Sequence, residues 1–66
     1  MIIKINGKDA TVDGLTNLTD LIFGKGLVPD HIVIEHNFRI IPKEEWADIR
    51  LEENDNIEII SFVGGG

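Results

Sequence analysis

The clearest chemical feature of the chain is its C-terminus, where Val63 is followed by Gly64, Gly65 and Gly66. Glycine lacks a Cβ atom, so this segment can pass through a narrow channel. Fully extended, it reaches roughly 10 Å beyond Val63, at about 3.3–3.6 Å per residue. We therefore expect residues 64–66 to be a flexible tail that carries the Gly66 carboxylate into another protein's active site, and residues 1–63 to form one folded domain. A cloning remnant or a frayed linker is the alternative explanation.

No other group of residues resembles a catalytic or metal site. The chain has no cysteine, which excludes a disulfide, a thiolate metal site and a cysteine nucleophile. It also lacks a nucleophile–base pair and a phosphate-binding loop. His31 and His36 lie five apart on a predicted strand, so they point to opposite faces and cannot share a metal. We expect a protein without bound cofactor or metal, which is a co-substrate of enzymes and not an enzyme.

The net charge of −6 restricts the possible partners. Nucleic acids and anionic membranes require a basic surface, so basic patches on proteins are the favoured partners.

The first apolar stretch is too short for a signal peptide and no run is long enough to span a membrane, so we expect a cytoplasmic protein, monomeric when free. An acidic set either complements a basic groove or is a solvated face, and it lacks the calcium-loop pattern. Its members are Glu44, Glu45, Asp48, Glu52, Glu53 and Asp55.

The N-terminal half predicts a β-hairpin followed by a helix. Residues 1–5 are rich in isoleucine, Asn6-Gly7 is the strongest two-residue hairpin signal, and residues 8–12 return as the second strand. Thr16 or Asn17 can cap a helix that ends at two glycines. Its apolar face comprises Leu18, Leu21 and Ile22.

The C-terminal half predicts three more strands and a short helical turn. Residues 31–37 alternate as a third strand, and residues 40–41 form a fourth strand that a proline ends. Residues 43–50 form a helical turn, with Trp46 as a lid on the core. Residues 57–63 form the last strand.

This order of elements predicts an α+β fold with a mixed five-stranded sheet packed on one main helix. The first and last strands are both rich in isoleucine, which suits parallel pairing at the centre of the sheet. The arrangement is that of the β-grasp, or ubiquitin-like, fold.

Several short motifs, in their order along the chain, carry a resemblance to a known family. Through them the chain resembles the sulfur carriers of thiamine biosynthesis, which are ubiquitin-like β-grasp proteins, over essentially its whole length. The motifs are Ile5-Asn6-Gly7, Leu18 to Leu21, Val33 to Asn37 with Ile40-Ile41-Pro42-Lys43, Trp46-Ala47, Leu51 with Asp55 and Ile57-Glu58-Ile59, and the terminal Val63-Gly64-Gly65-Gly66.

Three positions depart from the family pattern. Asn37-Phe38 replaces the usual Asn-Gly turn, and Asn54-Asp55 replaces the usual Gly-Asp before the last strand. Asparagine tolerates a left-handed backbone, so we expect both turns to survive. His36 replaces an aliphatic residue, and Phe38 at a turn tip is a candidate partner contact.

The resemblance implies a chemistry for the tail and a set of partners. An E1-like enzyme would use ATP to adenylate the Gly66 carboxylate, and sulfur from a cysteine desulfurase persulfide would then give a thiocarboxylate. A thiazole synthase would receive that sulfur. A carrier for molybdopterin, a sulfur amino acid or tRNA thiolation remains possible, as does a ubiquitin-like modifier or binding module.

Alternation along the last strand predicts a docking surface at the base of the tail. Ile57 and Ile59 face the helix, which leaves Ile60 and Phe62 on the other face with Glu58. An exposed apolar patch there would bind a partner, unless a loop or the Trp46 turn covers it. The predicted contact residues are Ile60, Phe62, Val63, Ile2 on the first strand, and Phe38.

Overall fold

The computed structural model describes residues 1–62, and in that range the predicted order of elements is confirmed. Two short 3-10 helices lie at Pro29–His31 and Lys43–Asp48. The regular elements are β1 (Ile2–Ile5), β2 (Lys8–Thr11), α1 (Leu18–Gly24), β3 (Ile32–His36), β4 (Arg39–Ile41) and β5 (Asn56–Ser61). With seven residues, α1 is far too short to cross a bilayer, and no other helix of residues 1–62 is long and apolar enough to do so.

The described strands form one mixed sheet with the order β2-β1-β5-β3-β4. β5 lies at the centre, parallel to β1 and antiparallel to β3. In the β1–β5 register, Lys4 lies beside Asn56. The parallel pairing of the first and last strands is therefore confirmed, and with it the β-grasp arrangement.

Hydrogen bonds at its two ends define where α1 begins and ends. The Asn17 side chain accepts a hydrogen bond of 2.8 Å from the Asp20 N–H, which caps the helix start. Gly26 has a φ of 72°. This left-handed residue allows its own N–H to donate to the Phe23 carbonyl, and the Leu27 N–H to donate to the Ile22 carbonyl. The chain turns away at that point, so α1 covers only part of the sheet.

The core lies between the sheet and α1, with the Lys43–Asp48 turn closing one side. Trp46 is buried, and its Nε1–H donates to the Ile41 carbonyl at 3.0 Å, which confirms it as a lid. All buried side-chain nitrogen and oxygen atoms of residues 1–62 have a hydrogen-bond partner. The other core residues are Ile3, Ile5, Leu18, Leu21, Ile22, Ile32, Ile34, Ile41, Leu51 and Ile57.

Several strand boundaries differ from the prediction by one or two residues. β2 ends at Thr11 and not at Val12, and β5 spans Asn56–Ser61 and not residues 57–63. β3 begins at Ile32 and not at His31, because Pro29 starts a 3-10 turn that ends at His31. His31 and His36 therefore do not share a strand, so strand alternation does not set the faces to which they point. Within residues 1–62 the structure brings together no three histidine or carboxylate groups that could hold a metal ion.

The two unusual turns keep left-handed backbones, as predicted. Asn37 has a φ of 51° and Asn54 a φ of 71°. Phe38 also lies in the left-handed region, with a φ of 70°, and the residue is 81% exposed. Such a backbone is uncommon for a bulky residue, and Phe38 therefore carries local strain that glycine would not.

Replacing Ile57 by Ala should destabilise the domain strongly, because this side chain is fully buried at the centre of the sheet. We expect a loss of about 2–5 kcal/mol in the free energy of unfolding, measured by urea denaturation. Ile40→Ala is the matched control, since Ile40 is exposed, and should stay within about 0.5 kcal/mol of wild type. Equal losses in the two variants would contradict this core.

Candidate functional site

The base of the predicted tail is held by a backbone hydrogen bond to the residue that precedes β3. The Phe62 N–H donates to the His31 carbonyl at 3.1 Å, one residue beyond the end of β5. The chain is thus fixed to the centre of the sheet as far as Phe62. The predicted tail, Gly64 to Gly66, and the predicted contact Val63 lie outside the described residues.

The outer face of the sheet at this end is apolar and exposed. Ile60 is 45% exposed and Phe62 is 59% exposed, while Ile57 on the opposite face is buried. The predicted alternation along the last strand is therefore correct. Trp46 lies in the core, and no other part of residues 1–62 covers Ile60 and Phe62.

Two residues outside the predicted contact set extend this face. Val33 on β3 is the direct partner of Ile60, and Ile40 on β4 is the partner of Glu35 on the same face. Their place on the same face as Ile60 becomes visible only when the strand order and register are known. We call Val33, Ile40, Ile60 and Phe62 the outer patch.

The structure does not bring all of the predicted contact residues together. Ile2 lies on the outer face, but the β1–β5 register places it level with Asn54, six residues before Ile60. At about 3.3 Å per residue, the separation is roughly 20 Å. Phe38 lies at the β3–β4 turn, also near the start of β5. The expectation that Ile2 lies beside Ile60 is therefore wrong, because parallel pairing sets the two at opposite ends of the sheet.

Asn6 connects the first hairpin to β5 through its side chain. Its Oδ1 accepts from the Ile59 N–H at 2.7 Å, and its Nδ2 donates to the Ile59 carbonyl at 3.3 Å. The side-chain amide thus continues the β1–β5 pairing after β1 has ended at Ile5. From the sequence, Asn6 is predicted only as a turn residue, and its φ of 51° fits that role.

Asp55 anchors the other end of β5 and does not belong to the exposed acidic set. It is only 6% exposed, whereas the other members of that set, Glu44, Glu45, Asp48, Glu52 and Glu53, are exposed. Its carboxylate accepts from His36 Nε2 at 2.8 Å, from Asn37 Nδ2 at 3.1 Å and from the Glu52 N–H at 2.9 Å. An ionised carboxylate can only accept, so His36 carries its proton on Nε2.

These contacts set the ionisation of Asp55. Burial by itself raises the pKa of the carboxyl group, but hydrogen bonds from His36, the Glu52 N–H and Asn37 outweigh burial and hold the pKa below its ordinary value of 3.8. His36, at a position where the resembled family usually has an aliphatic residue, is thus the partner of a buried carboxylate.

Comparison with known proteins identifies the family of this chain. The model of the ThiS family matches residues 3–66, which is nearly the whole chain. The chain belongs to the ThiS family. The sulfur carrier protein ThiS of Bacillus subtilis is 36% identical over 66 residues, covering 98% of this chain and 100% of that protein.

Solved structures agree with the ThiS fold. The crystal structure of the thiamine biosynthesis protein ThiS from Geobacter metallireducens superposes with a TM-score of 0.85 at 28% identity, and the match covers the whole of both chains. This ThiS-family chain therefore has the predicted α+β, ubiquitin-like β-grasp fold.

Other relatives of this ThiS-family chain are much longer. A thiazole synthase of Magnetococcus marinus is 32% identical over 66 residues, and one of Paramagnetospirillum magneticum is 29% identical over the same length. The chain covers 20% of each, so it spans about a fifth of the length of these relatives.

Asp55→Ala should destabilise the domain at neutral pH, because three donors lose their buried acceptor. We expect a loss of about 1–3 kcal/mol in the free energy of unfolding at about pH 7. Since the folded pKa of Asp55 is lowered, its stabilisation is fully present above the unfolded pKa and is lost as pH falls through the folded pKa. The difference between wild type and variant should therefore shrink in acid.

Urea denaturation at about pH 7 and about pH 3 measures this dependence. Asp48→Ala is the matched control, because Asp48 is exposed. Its free energy of unfolding should match that of wild type at both pH values. If the loss of unfolding free energy caused by Asp55→Ala is the same at both pH values, Asp55 is not ionised in the folded protein as described.

Proposed function

We propose that this chain is a sulfur carrier of thiamine biosynthesis, in which the Gly66 carboxylate is adenylated and then converted to a thiocarboxylate. The observation that carries the proposal is a fixed strand end beside an exposed apolar patch, followed directly by Val63-Gly64-Gly65-Gly66 in a chain of the ThiS family. A rigid domain would dock outside the partner while glycines, which lack side chains, enter its active site.

The proposed reaction needs activation because a carboxylate is a poor acyl donor. A Gly66 carboxylate oxygen would attack the α-phosphorus of ATP, and pyrophosphate would leave. The terminal sulfur of a persulfide would then attack the acyl carbon and displace AMP. A thiol would reduce the resulting acyl disulfide, which breaks the S–S bond and leaves the thiocarboxylate. All of these groups except the carboxylate belong to partners, so in this proposal the chain is a co-substrate and not an enzyme.

The proposed partners are an E1-like adenylating enzyme, a cysteine desulfurase that supplies the persulfide, and a thiazole synthase. The longer relatives support the last of these, because proteins named thiazole synthase contain a segment similar to this whole chain. Joining two modules in one polypeptide raises their effective concentration, which benefits proteins that act on each other. We place the chain in the cytoplasm with these enzymes, monomeric when free, with residues 1–63 as the domain and residues 64–66 as the tail.

The proposal predicts a specific covalent change at Gly66. After incubation with ATP, the adenylating enzyme and a persulfide donor, the intact mass should rise by the difference between one sulfur and one oxygen atom. Fragmentation should place this change on Gly66. A lysine-linked adduct without any sulfur-containing species would instead favour a ubiquitin-like modifier and contradict the carrier function.

Deletion of Gly66 provides the control for this reaction. The variant should form no thiocarboxylate, because its terminal carboxylate falls about 3.5 Å short of the reacting phosphate. Its thermal unfolding should match wild type, since the described hydrogen bonds and core lie within residues 1–62. Loss of folding on deletion would mean that the tail is structural.

The outer patch should contribute to binding of the adenylating enzyme. We expect Phe62→Ala to weaken binding by about tenfold or more, as for a buried aromatic contact at the centre of an interface. Phe23→Ala is the matched control, because Phe23 is similarly exposed but lies on α1, on the other side of the sheet. Isothermal titration calorimetry on both variants measures the effect. Equal affinities would exclude the outer patch from the interface.

A further inference from the structure

A groove lies on the helix side of the sheet, at the end from which the tail leaves. Its volume is about 540 Å³, within the usual range of binding pockets. The groove exists because the seven residues of α1 extend about 10 Å, while the six residues of β5 extend about 20 Å. Ile59 therefore lies beyond the helix and is only partly buried. Leu27 and Val28 form the facing wall, and half of the Val28 side chain is exposed.

An unpaired stretch of strand edge borders this groove. Even-numbered residues of β5 bond toward β3, as Phe62 does with His31, so odd-numbered residues point their N–H and C=O groups toward β1. Ile57 pairs there with the Asn6 backbone, and Ile59 pairs with the Asn6 side chain. Among residues 1–62, no partner of β5 follows beyond Asn6 on this side. Within residues 1–62, the Ser61 N–H and C=O therefore face an open edge, and Ser61 is exposed.

The charge around the groove differs from that of the molecule as a whole. The chain has a net charge of −6, yet Lys25 lines this groove and, with Lys8, lines the smaller adjoining one. Asp9 also lines the adjoining groove, but its carboxylate pairs with Lys4. Neither lysine forms a salt bridge within residues 1–62, whereas Lys4 and Lys43 each pair with an aspartate. An unpaired cation beside an apolar groove favours a ligand that has a carboxylate next to an apolar side chain.

From these three observations we infer that the groove binds an extended segment of the thiazole synthase. The segment adds to the open edge by hydrogen bonding to Ser61, places an apolar side chain between Val28 and Ile59, and sets a carboxylate near Lys25. Strand addition of this kind takes its affinity from the backbone and its specificity from side-chain pockets. The inference rests on the proposed function for the identity of the partner. It places a second contact on the opposite face of the sheet from the outer patch.

Amide hydrogen exchange gives the direct test. In the free chain, the Ser61 N–H should exchange quickly, and addition of thiazole synthase from the same organism should slow it. Fast exchange that persists in the complex, or no binding of the wild-type chain to the synthase, overturns the inference. Slow exchange in the free chain also overturns it. If that protection rises with chain concentration, the occupant is a second copy. If removal of residues 63–66 abolishes it, the occupant is the tail.

Substitutions at Ser61 separate the backbone from the side chain. Ser61→Pro removes the N–H and should weaken binding to the synthase by about five- to tenfold, the effect expected for one lost hydrogen bond. Ser61→Ala keeps the N–H and should stay within about twofold of wild type. Thermal unfolding of both variants shows whether the fold is intact. Equal affinities of a folded Ser61→Pro and wild type overturn the inference.

A charge reversal keeps the test valid if Ser61→Pro fails to fold. Lys25→Glu should weaken synthase binding by about fivefold at low salt and less at high salt. Arg39→Glu changes the net charge equally but lies on β4, at the far edge of the sheet, and should have a smaller effect. Equal effects of the two reversals overturn the inference. Failure of the proposed function is distinguishable, because it would appear as absence of the Gly66 thiocarboxylate in the wild-type chain.

Discussion

The parallel pairing of β1 with β5 is the interaction on which the rest of this structure depends. It places the last strand at the centre of the sheet, where β3 pairs with its other edge. It also buries Ile57 and Ile3 against the helix. As far as Ile59, β5 has neighbours on both sides and cannot shift without breaking two ladders. At Ser61 and Phe62 the chain is held on the β3 side, and Val63 to Gly66 follow from that point in the sequence.

Polar side chains form hydrogen bonds near both ends of β5. At the start, Asp55 collects donors from His36, Asn37 and the Glu52 backbone. Near the finish, the Asn6 amide pairs with Ile59 in place of a further β1 residue. A domain of this size has a small core, and burial of apolar side chains alone stabilises it only a little. Hydrogen bonds to the polar groups at the strand ends therefore make a necessary addition to its stability. Because the Asn6 side chain ends this pairing at Ile59, Ser61 has no backbone partner on the β1 side within residues 1–62.

Several parts of the fold could be predicted from local signals. Asn6-Gly7 fixed the first hairpin, the spacing of Leu18, Leu21 and Ile22 fixed the helix face, and alternation along β5 separated Ile57 from Ile60. The outer patch could be predicted only in part, because Val33 and Ile40 join it through strand register, which depends on contacts between distant segments. Ile2 was misplaced for the same reason. The burial of Asp55 could not be predicted, because an acidic run in the sequence does not distinguish a solvent-exposed carboxylate from a buried, hydrogen-bonded one.

By itself, the sequence determined the order of the elements, the acidic and cysteine-free character of the chain, and the glycine segment that follows the last strand. These are properties of composition and short-range spacing, and each acts within a few residues. Only the tertiary structure decided which exposed apolar residues lie together, that His36 pairs with Asp55, and that a short helix leaves a groove beside Ser61. The physical reason is that register and helix length relative to the sheet set distances between segments far apart in the chain, and no local pattern encodes those distances.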